Sequence, residues 1–531
     1  MRQTFYESYS APMLEKGLHL SVGMLPAFWQ YPFYRCMNSI PPGGKIAMTL
    51  QVYNFMTRRK EEFRPVNEGF VGIYVCGPTV YGHSHIGHAK VYVSFDVMVR
   101  YFRYLGYQVR YVQNITDVGH LTDDADEGED KILRKARQER VEPMEVVQTY
   151  MRSFFEDMDA LNVLRPDISP RATCHIPEQI ELVRALLDTD HAYEADGSVY
   201  FDVASWPEYG KLSGRKVEDQ EEGARITINP DKKSPADFAV WKKAERGHIL
   251  RWPSPWGSGY PGWHLECSVM ATKYLGQPFD IHGGGLENMF PHNESEIAQI
   301  EAATGKQFCN YWLLNNMVTV DGVKMGKSLG NFITIKEAMS RHDPLTIRFF
   351  VLSSHYRSPT DFSEEALDAA GRGLERLYGA VRLVRQRLRT AEGEVLDPVW
   401  AGKLDDYRQR FEEVMNDDFG TPQAIAQLFD LGREVNSLLN SDQAVSQATL
   451  QAIDHLYREI GGEVLGIIPD ELVQQADSDL VGGLVRMLID QRRQAREARD
   501  WEKADRIRDQ LAEMGVMLED GAQGTRWRLS R

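Results

Sequence analysis

Residues 70 to 113 carry the pattern that most restricts how this chain can fold. FVGIYV is a short run of β-branched and aromatic residues, CGPTVYG follows as a turn, and HIGHAKVYVSFDVMVRYFRYLGY carries apolar residues at helical spacing. QVRYVQNITDVG then supplies a second strand, so the unit reads strand, turn, helix, strand. Strands joined by a helix lie parallel with a right-handed crossover, which predicts a doubly wound α/β sheet. Sheets of this kind gather ligands at the carboxyl ends of their strands, where CGPTVYGHSHIGHAK falls.

A single core rarely grows beyond roughly 300 residues, so a chain of 531 is multidomain. Residues from about 165 to 250 are rich in Pro, Gly and charge, with short strands such as GSVYFDV, and read as an insertion; FDIHGGG and NNMVTVDG then resume the sheet. Beyond Pro344, segments such as EEALDAAGRGLERLYGAVRLVRQRL and TPQAIAQLFDLGREVNSLLN place apolar residues every three or four positions, predicting a helical bundle. No run of about 18 apolar residues exists to span a bilayer, and the first 47 residues lack the apolar core of a secretory signal. Five scattered cysteines form no disulfide framework and predict a reducing, cytoplasmic setting. A net charge of -16 argues against coating nucleic acid by bulk electrostatics and leaves only local basic surfaces for such a partner.

Cys76 closes the first strand, Cys267 lies in GYPGWHLECSVM, and FPHNESEIAQI brings His292 and Glu296, which share a helix face at i and i+4 while Glu294 points elsewhere. Two thiolates, an imidazole and a carboxylate suit Zn²⁺. Their spacing is not that of a zinc finger, and two buried packing cysteines remain an equal reading of the same residues. Cys36, Cys174 and Cys309 read as packing residues. His85 and His88 open a helix around Gly87, where unpaired N–H groups and two imidazoles can hold phosphate. In VDGVKMGKSLGNF, Lys324 and Lys327 flank Gly326, with Ser328 after them; the segment lacks the spacing of a Walker loop but can close on a polyphosphate. Near the C-terminus Arg492, Arg496, Arg499, Lys503 and Arg506 recur at steps of 4, 3, 4 and 3, predicting one basic stripe on a helix. Trp501 and Asp505 beside it offer a stacking plane and a base-edge acceptor for RNA, although a solvated helix face has the same pattern.

Together these clusters resemble the class I aminoacyl-tRNA synthetases, whose HIGH and KMSKS motifs are matched by HIGHAK and by KMGKS, the latter with Gly326 in place of Ser. Within that class the chain resembles the cysteinyl-tRNA synthetases through FMTRRKEEFRPV, YVCGPTVYGHSHIGHAK, NITDV, PRAT, SPWGSGYPGWHLECS, FDIHGGG, PHNESEIAQI, KMGKSLGN, NDDFGTPQA and LEDGAQGTRWR, in that order. The resemblance implies a Rossmann-type parallel sheet split by an insertion, then a helical bundle and a small anticodon-binding domain. It divides the chain into a non-family extension (1–47), catalytic halves at 48–165 and 251–343 around a connective insertion (166–250), a stem-contact region (344–400), a helical bundle (401–475) and an anticodon-binding domain (476–531).

The implied activity is ATP-dependent ligation of L-cysteine to tRNA(Cys) through cysteinyl adenylate, by a monomer, with Mg²⁺ accompanying ATP. The implied metal ligands are Cys76, Cys267, His292 and Glu296; the zinc would bind the substrate thiolate and reject serine, whose hydroxyl is a poor ligand at neutral pH. Gly77, Thr116, Trp263 and His282 fall where the family lines its amino acid pocket, and His85, Gly87, His88, Lys324, Lys327 and Ser328 fall at the ATP phosphates. Gly283, Gly284 and Gly285 would admit adenosine to the backbone, with Glu287 near the ribose, while Arg496, Trp501 and Asp505 would face the anticodon.

Three features depart from the family pattern: Gly326, Asn293 where many relatives have His, and an acidic insertion in NITDVGHLTDDADEGEDKI. Residues 1–47 match nothing in the family and are expected to be a disordered extension or to lie upstream of the true start. A cysteine ligase that charges an amino sugar would keep the catalytic motifs without the helical half, and a non-enzymatic RNA-binding or zinc-storing paralogue would lose HIGH or KMSKS residues. This sequence keeps both.

Overall fold

The computed structural model describes residues 49–121, 129–215, 230–245, 248–326, 330–441, 443–472, 475–521 and 524–529. The expectation for residues 1–47 lies outside them, as do Lys327 and Ser328. At the centre is a four-stranded parallel sheet in the order Cys309–Asn315, Phe279–Gly285, Phe70–Val75, Gln108–Gln113. The strand–helix–strand unit read from the sequence forms half of it, with Phe70 facing Gln108 through to Val75 facing Gln113. The crossover helix, Ile86–Tyr104, buries thirteen of its residues against the sheet and the helical half. Parallel strands covered on both faces read as continuous apolar runs, as FVGIYV does.

Between the two halves of the sheet lies a five-stranded antiparallel sheet running from Ala192 to Pro261, so the inserted subdomain reaches past residue 250 into the segment that leads to Trp263. Beyond Pro344 the chain is mainly helical, with Glu364–Leu388, Pro398–Asn416 and Thr421–Leu439 as the long members.

Two buried ionic hubs tie the helical half to the catalytic half, one through the crossover helix and one through the strand Gln51–Asn54. Arg348 is fully buried and donates to the Asp96 carboxylate at 2.5 Å and to the carbonyls of Leu465, Leu161 and Asn162 at 2.8 to 3.1 Å. Asp418, in NDDFGTPQA, accepts from Tyr53 N, the Tyr356 hydroxyl and Arg357 Nε at 2.9, 2.7 and 2.6 Å. Its φ of 66° is positive, and its one carboxylate serves two distant segments, at Tyr53 and at Tyr356–Arg357. Breaking such a buried pair leaves an uncompensated charge, which is why these contacts fix how the helices dock.

The expected basic stripe is interrupted. The helix Gln475–Glu497 ends before Arg499, whose φ of 61° is left-handed, and Asp500 caps a new helix, Trp501–Glu513. Arg492 is buried, so it is not part of an exposed stripe. Trp501 and Asp505 remain four apart on the second helix; Trp501 is 58% exposed, and Asp505 pairs with Arg508 at 2.9 Å. Among the described residues no helix is long and apolar enough to cross a membrane.

Candidate active site and metal centre

The metal-type residues arrive on three elements. Cys76 extends the first strand, its N–H donating to the Gly283 carbonyl at 3.0 Å; Cys267 lies on the helix Trp263–Leu275; and His292 and Glu296 lie on the helix His292–Thr304. Their donor atoms all fall within 4.8 Å of one another, and all four residues are buried. A tetrahedral zinc site with bonds of about 2.0 to 2.3 Å spaces its ligand atoms roughly 3.3 to 3.8 Å apart, so a small contraction of this cluster would close it on an ion. The donor set, S₂NO, fits zinc in chemistry as well as in size.

Burial opposes charge here, and the groups answer it by pairing. Burial would raise the Glu296 carboxyl, but His282 and His292, at 2.6 and 2.9 Å, hold it well below the usual carboxylate range. His292 is in turn pushed up to about 10: burial opposes its charge, and Glu296 and the neighbouring Cys267 thiol more than offset it. Burial pushes the Cys267 thiol far up. The hydrogen bond with Cys267 would lower Cys76, but burial and Glu296 outweigh it, and this thiol too is raised.

Second partners aim the ligands. His264 Nδ1 lies 3.0 Å from His292 Nδ1, and Asn293 donates to Glu296 Oε1 at 3.1 Å and to Cys76 Sγ at 3.7 Å. His282, expected on the pocket wall, instead stands behind Glu296, stacked on Trp312 with ring centres 4.2 Å apart. Asn293 thus keeps a donor beside the thiol and the carboxylate. Such long-range contacts leave no mark in a single sequence.

Above the thiols is a pocket of about 130 Å³ lined by Cys76, Gly77, Thr116, Cys267, Trp263 and His292, among others. Gly77 N–H donates to Asn114 Oδ1 at 2.7 Å, and Thr116 Oγ1 donates to Glu266 Oε2 at 3.0 Å. Trp263 is held between two imidazoles, His120 at 4.0 Å and His292 at 4.2 Å.

Next to it is a cleft of about 420 Å³ lined by His85, Gly87, His88, Glu287, Lys324 and Gly326, among others. His85 caps the helix Ile86–Tyr104; its Nδ1 accepts from His88 N at 3.3 Å while His88 Nδ1 accepts from His85 N at 3.4 Å, and the rings stack at 3.8 Å. This reciprocal capping holds both imidazoles at the positive end of the helix. The lysine loop is pinned at its base, where Asn331 bonds Gly326 N at 2.9 Å and Lys324 O at 3.2 Å.

The three glycines of HGGG divide. Gly285 lines the small pocket, whereas Gly283 and Gly284 line neither cavity. A Cβ on Gly283 would lie 2.4 Å from the ring of Phe95 on the crossover helix, so that glycine serves the packing of helix on strand. Sequence reasoning missed Thr79, His120 and Asn288, which line both cavities, and Lys131, which lines the larger.

Residues 62–372 match the family model of class I (C) tRNA synthetase catalytic domains, 410–469 match the DALR domain, and 484–528 match the cysteinyl-tRNA ligase anticodon binding domain. The chain is 54% identical over 491 residues to a cysteine–tRNA ligase of Chlorobaculum tepidum, covering 90% of this chain and 99% of that protein. It is 50% identical over 485 residues to one from Thermus thermophilus, covering 91% and 100%. In fold it resembles Mycobacterium tuberculosis methionyl-tRNA synthetase with methionyl-adenylate, at a TM-score of 0.56 and 16% identity over 76% of this chain and 92% of that one. With the catalytic, DALR and anticodon-binding segments all present and half the residues shared with full-length relatives, the chain belongs to the cysteine–tRNA ligase family of class I synthetases.

Proposed function

We infer that this chain joins L-cysteine to tRNA(Cys) in two steps, forming cysteinyl adenylate and pyrophosphate from ATP and then passing the acyl group to the terminal ribose of the tRNA. The observation that carries the reading is a shared wall: Thr79, His88, His120, Trp263, Glu287 and Asn288 border both the small pocket beside the two thiols and the larger cleft beside the helix N-terminus. An amino acid in the first and ATP in the second would meet along that wall, so the work of the site is orientation and charge stabilisation, without a protein nucleophile.

Cys76, Cys267, His292 and Glu296 would hold Zn²⁺, which when bound supplies a Lewis acid that takes a thiolate far more readily than a hydroxyl and so selects cysteine over serine. His85 and His88, with Lys324, Lys327 and Ser328 of the loop, would hold the ATP phosphates together with Mg²⁺, and Glu287 would serve the ribose. Gly77, Thr116 and Trp263 would orient the amino acid, while His282 would act from behind by holding Glu296. Arg496, Trp501 and Asp505 would meet the anticodon. The buried thiols at 76, 267 and 309 suit a reducing, cytoplasmic setting, and a monomer is the expected working unit.

Cysteine-dependent exchange of pyrophosphate into ATP by zinc-replete protein, followed by charging of tRNA(Cys), tests the reading. Exchange with cysteine and not with serine is expected; no exchange would reject it. Cys76→Ser is expected to lose zinc and discrimination together, and retention of both would reject the metal assignment alone.

A further inference from the structure

The acidic insertion in NITDVGHLTDDADEGEDKI is flanked by two residues that the fold brings together in the site. Gly119, at a φ of 78°, passes so close to Pro261 that a Cβ would lie 2.6 Å from its carbonyl oxygen. Gly119 N–H donates to Asp130 Oδ2 at 2.9 Å, Leu121 and Asp130 form an antiparallel bridge, and Lys131 N–H donates to the His120 carbonyl at 3.0 Å. These contacts close the base of the insertion and set the side chains of His120 and Lys131 side by side at the catalytic cleft.

The side chains form a directed chain. Lys131 Nζ lies 2.7 Å from His120 Nε2, and His120 Nδ1 lies 2.5 Å from Thr79 Oγ1. An ammonium can donate and has no lone pair, so Nε2 is the acceptor and the ring's own proton sits on Nδ1, which donates to the Thr79 oxygen. The Thr79 hydroxyl proton is thereby left to point away from His120. Thr79 borders the amino acid pocket and the nucleotide cleft at their junction.

We infer that Lys131 and His120 are positioning residues that fix Thr79 as a hydrogen-bond donor to an anionic oxygen of the reacting pair, the amino acid carboxylate or the α-phosphate it attacks. The inference rests on the activity assigned above and adds residues to it. With the opposite tautomer, His120 Nδ1 would take the Thr79 proton and the site would lose a donor at the point where charge develops. The ring is held by the same geometry, stacked on Trp263 with an interplanar angle of 9°, so the relay and the pocket wall are one assembly.

A double-mutant cycle on the full-length, zinc-replete protein tests this by cysteine-dependent ATP–pyrophosphate exchange. Wild-type exchange tests the assigned activity; the variants test the relay. Thr79→Val is expected to lower exchange roughly 100-fold, the order of losing one aimed donor. Lys131→Met should lower it about tenfold, Lys131→Arg should restore most of that loss, and Lys131→Met added to Thr79→Val should cost nothing further. A rise in the KM for cysteine would identify the carboxylate as the contact, and a rise in the KM for ATP the phosphate. The relay is overturned if Lys131→Met costs the same factor with and without the Thr79 hydroxyl, or leaves exchange unchanged. His120→Gln, which keeps a polar side chain at the ring's position, gives a second measure, and additivity with Thr79→Val would overturn the relay equally.

Discussion

Gly283→Ala separates two explanations of the HGGG run. A methyl at 283 would sit 2.4 Å from Cε1 and Cζ of Phe95 and 3.1 Å from its Cδ1. Carbon atoms rest at about 3.5 to 4.0 Å, so the ring must withdraw by roughly 1.0 to 1.5 Å. Phe95 is wholly buried between the helix Ile86–Tyr104 and the sheet, and a close-packed interior offers no space for that retreat. Overpacking of this kind costs about 1 to 3 kcal/mol; taking about 2 kcal/mol in a unit of this size, the melting temperature falls by roughly 2 to 4 °C. The helix that must give way is the one led by His85 and His88, and a displacement near 1 Å can cost about 100-fold in rate. Differential scanning calorimetry and ATP–pyrophosphate exchange read the two effects. Phe95→Leu should relieve the clash, so that the double variant is more stable than Gly283→Ala alone. If Gly283→Ala leaves the melting temperature unchanged and raises only the KM for ATP, the glycine is small for the nucleotide and the packing argument is wrong.

Arg348→Met leaves the carbonyls of Leu465 and Leu161 without this donor, Asn162 O with Arg100 alone, and Asp96 with only Arg100 and the Leu164 N–H, and should cost about 3 to 5 kcal/mol in urea unfolding. Lys90 is buried with its ammonium against the carbonyls of Asn316 and Ser358, and burial, only partly offset by Glu287, lowers its pKa to about 8. The unfolded chain therefore holds the extra proton between about pH 8 and 10.4, and stability should rise across that window by about 3 kcal/mol relative to Lys90→Met; a flat difference would refute the assignment. Trp501→Ala should raise the KM for tRNA about tenfold, read in aminoacylation and not in the exchange step, which needs no tRNA.

What could be read from the sequence was local or repeated. The strand–turn–helix around His85 follows from apolar spacing, and the pairing of His292 with Glu296 follows from a helix period. Residue chemistry offered the four ligands only as an equal alternative to packing cysteines, and the resemblance decided between the two, since Cys76 and Cys267 are 191 positions apart and share no local pattern. His264 and His120 were missed, and Asn293 was noted only as a departure from the family pattern, because their partners are chosen by tertiary packing. The basic stripe misled for a related reason. Spacings of 4 and 3 survive a tight turn, so periodicity alone carried one helix through Arg499, although Asp500 ahead of Trp501 was an available capping signal.

A metal ion held by this cluster would make physical sense of an otherwise costly arrangement. Two thiols, a carboxylate and two imidazoles share a buried space at the floor of the small pocket, where an unpaired charge costs several kcal/mol. The protein's own groups offset only part of this. Glu296 stays ionised because His282 and His292 face it, and the cost appears in the raised thiols of Cys76 and Cys267. A dication at the centre of the four donors would stabilise both thiolates and displace the proton that His292 holds, so each shift would relax toward the ionisation that binding requires. The same charge would favour a fifth, anionic sulfur over a neutral hydroxyl. Selection of cysteine and stabilisation of the buried cluster would then be one electrostatic effect: removing zinc should lower the melting temperature and the preference over serine together, and a chelated protein that loses only one of them would show that they are separate.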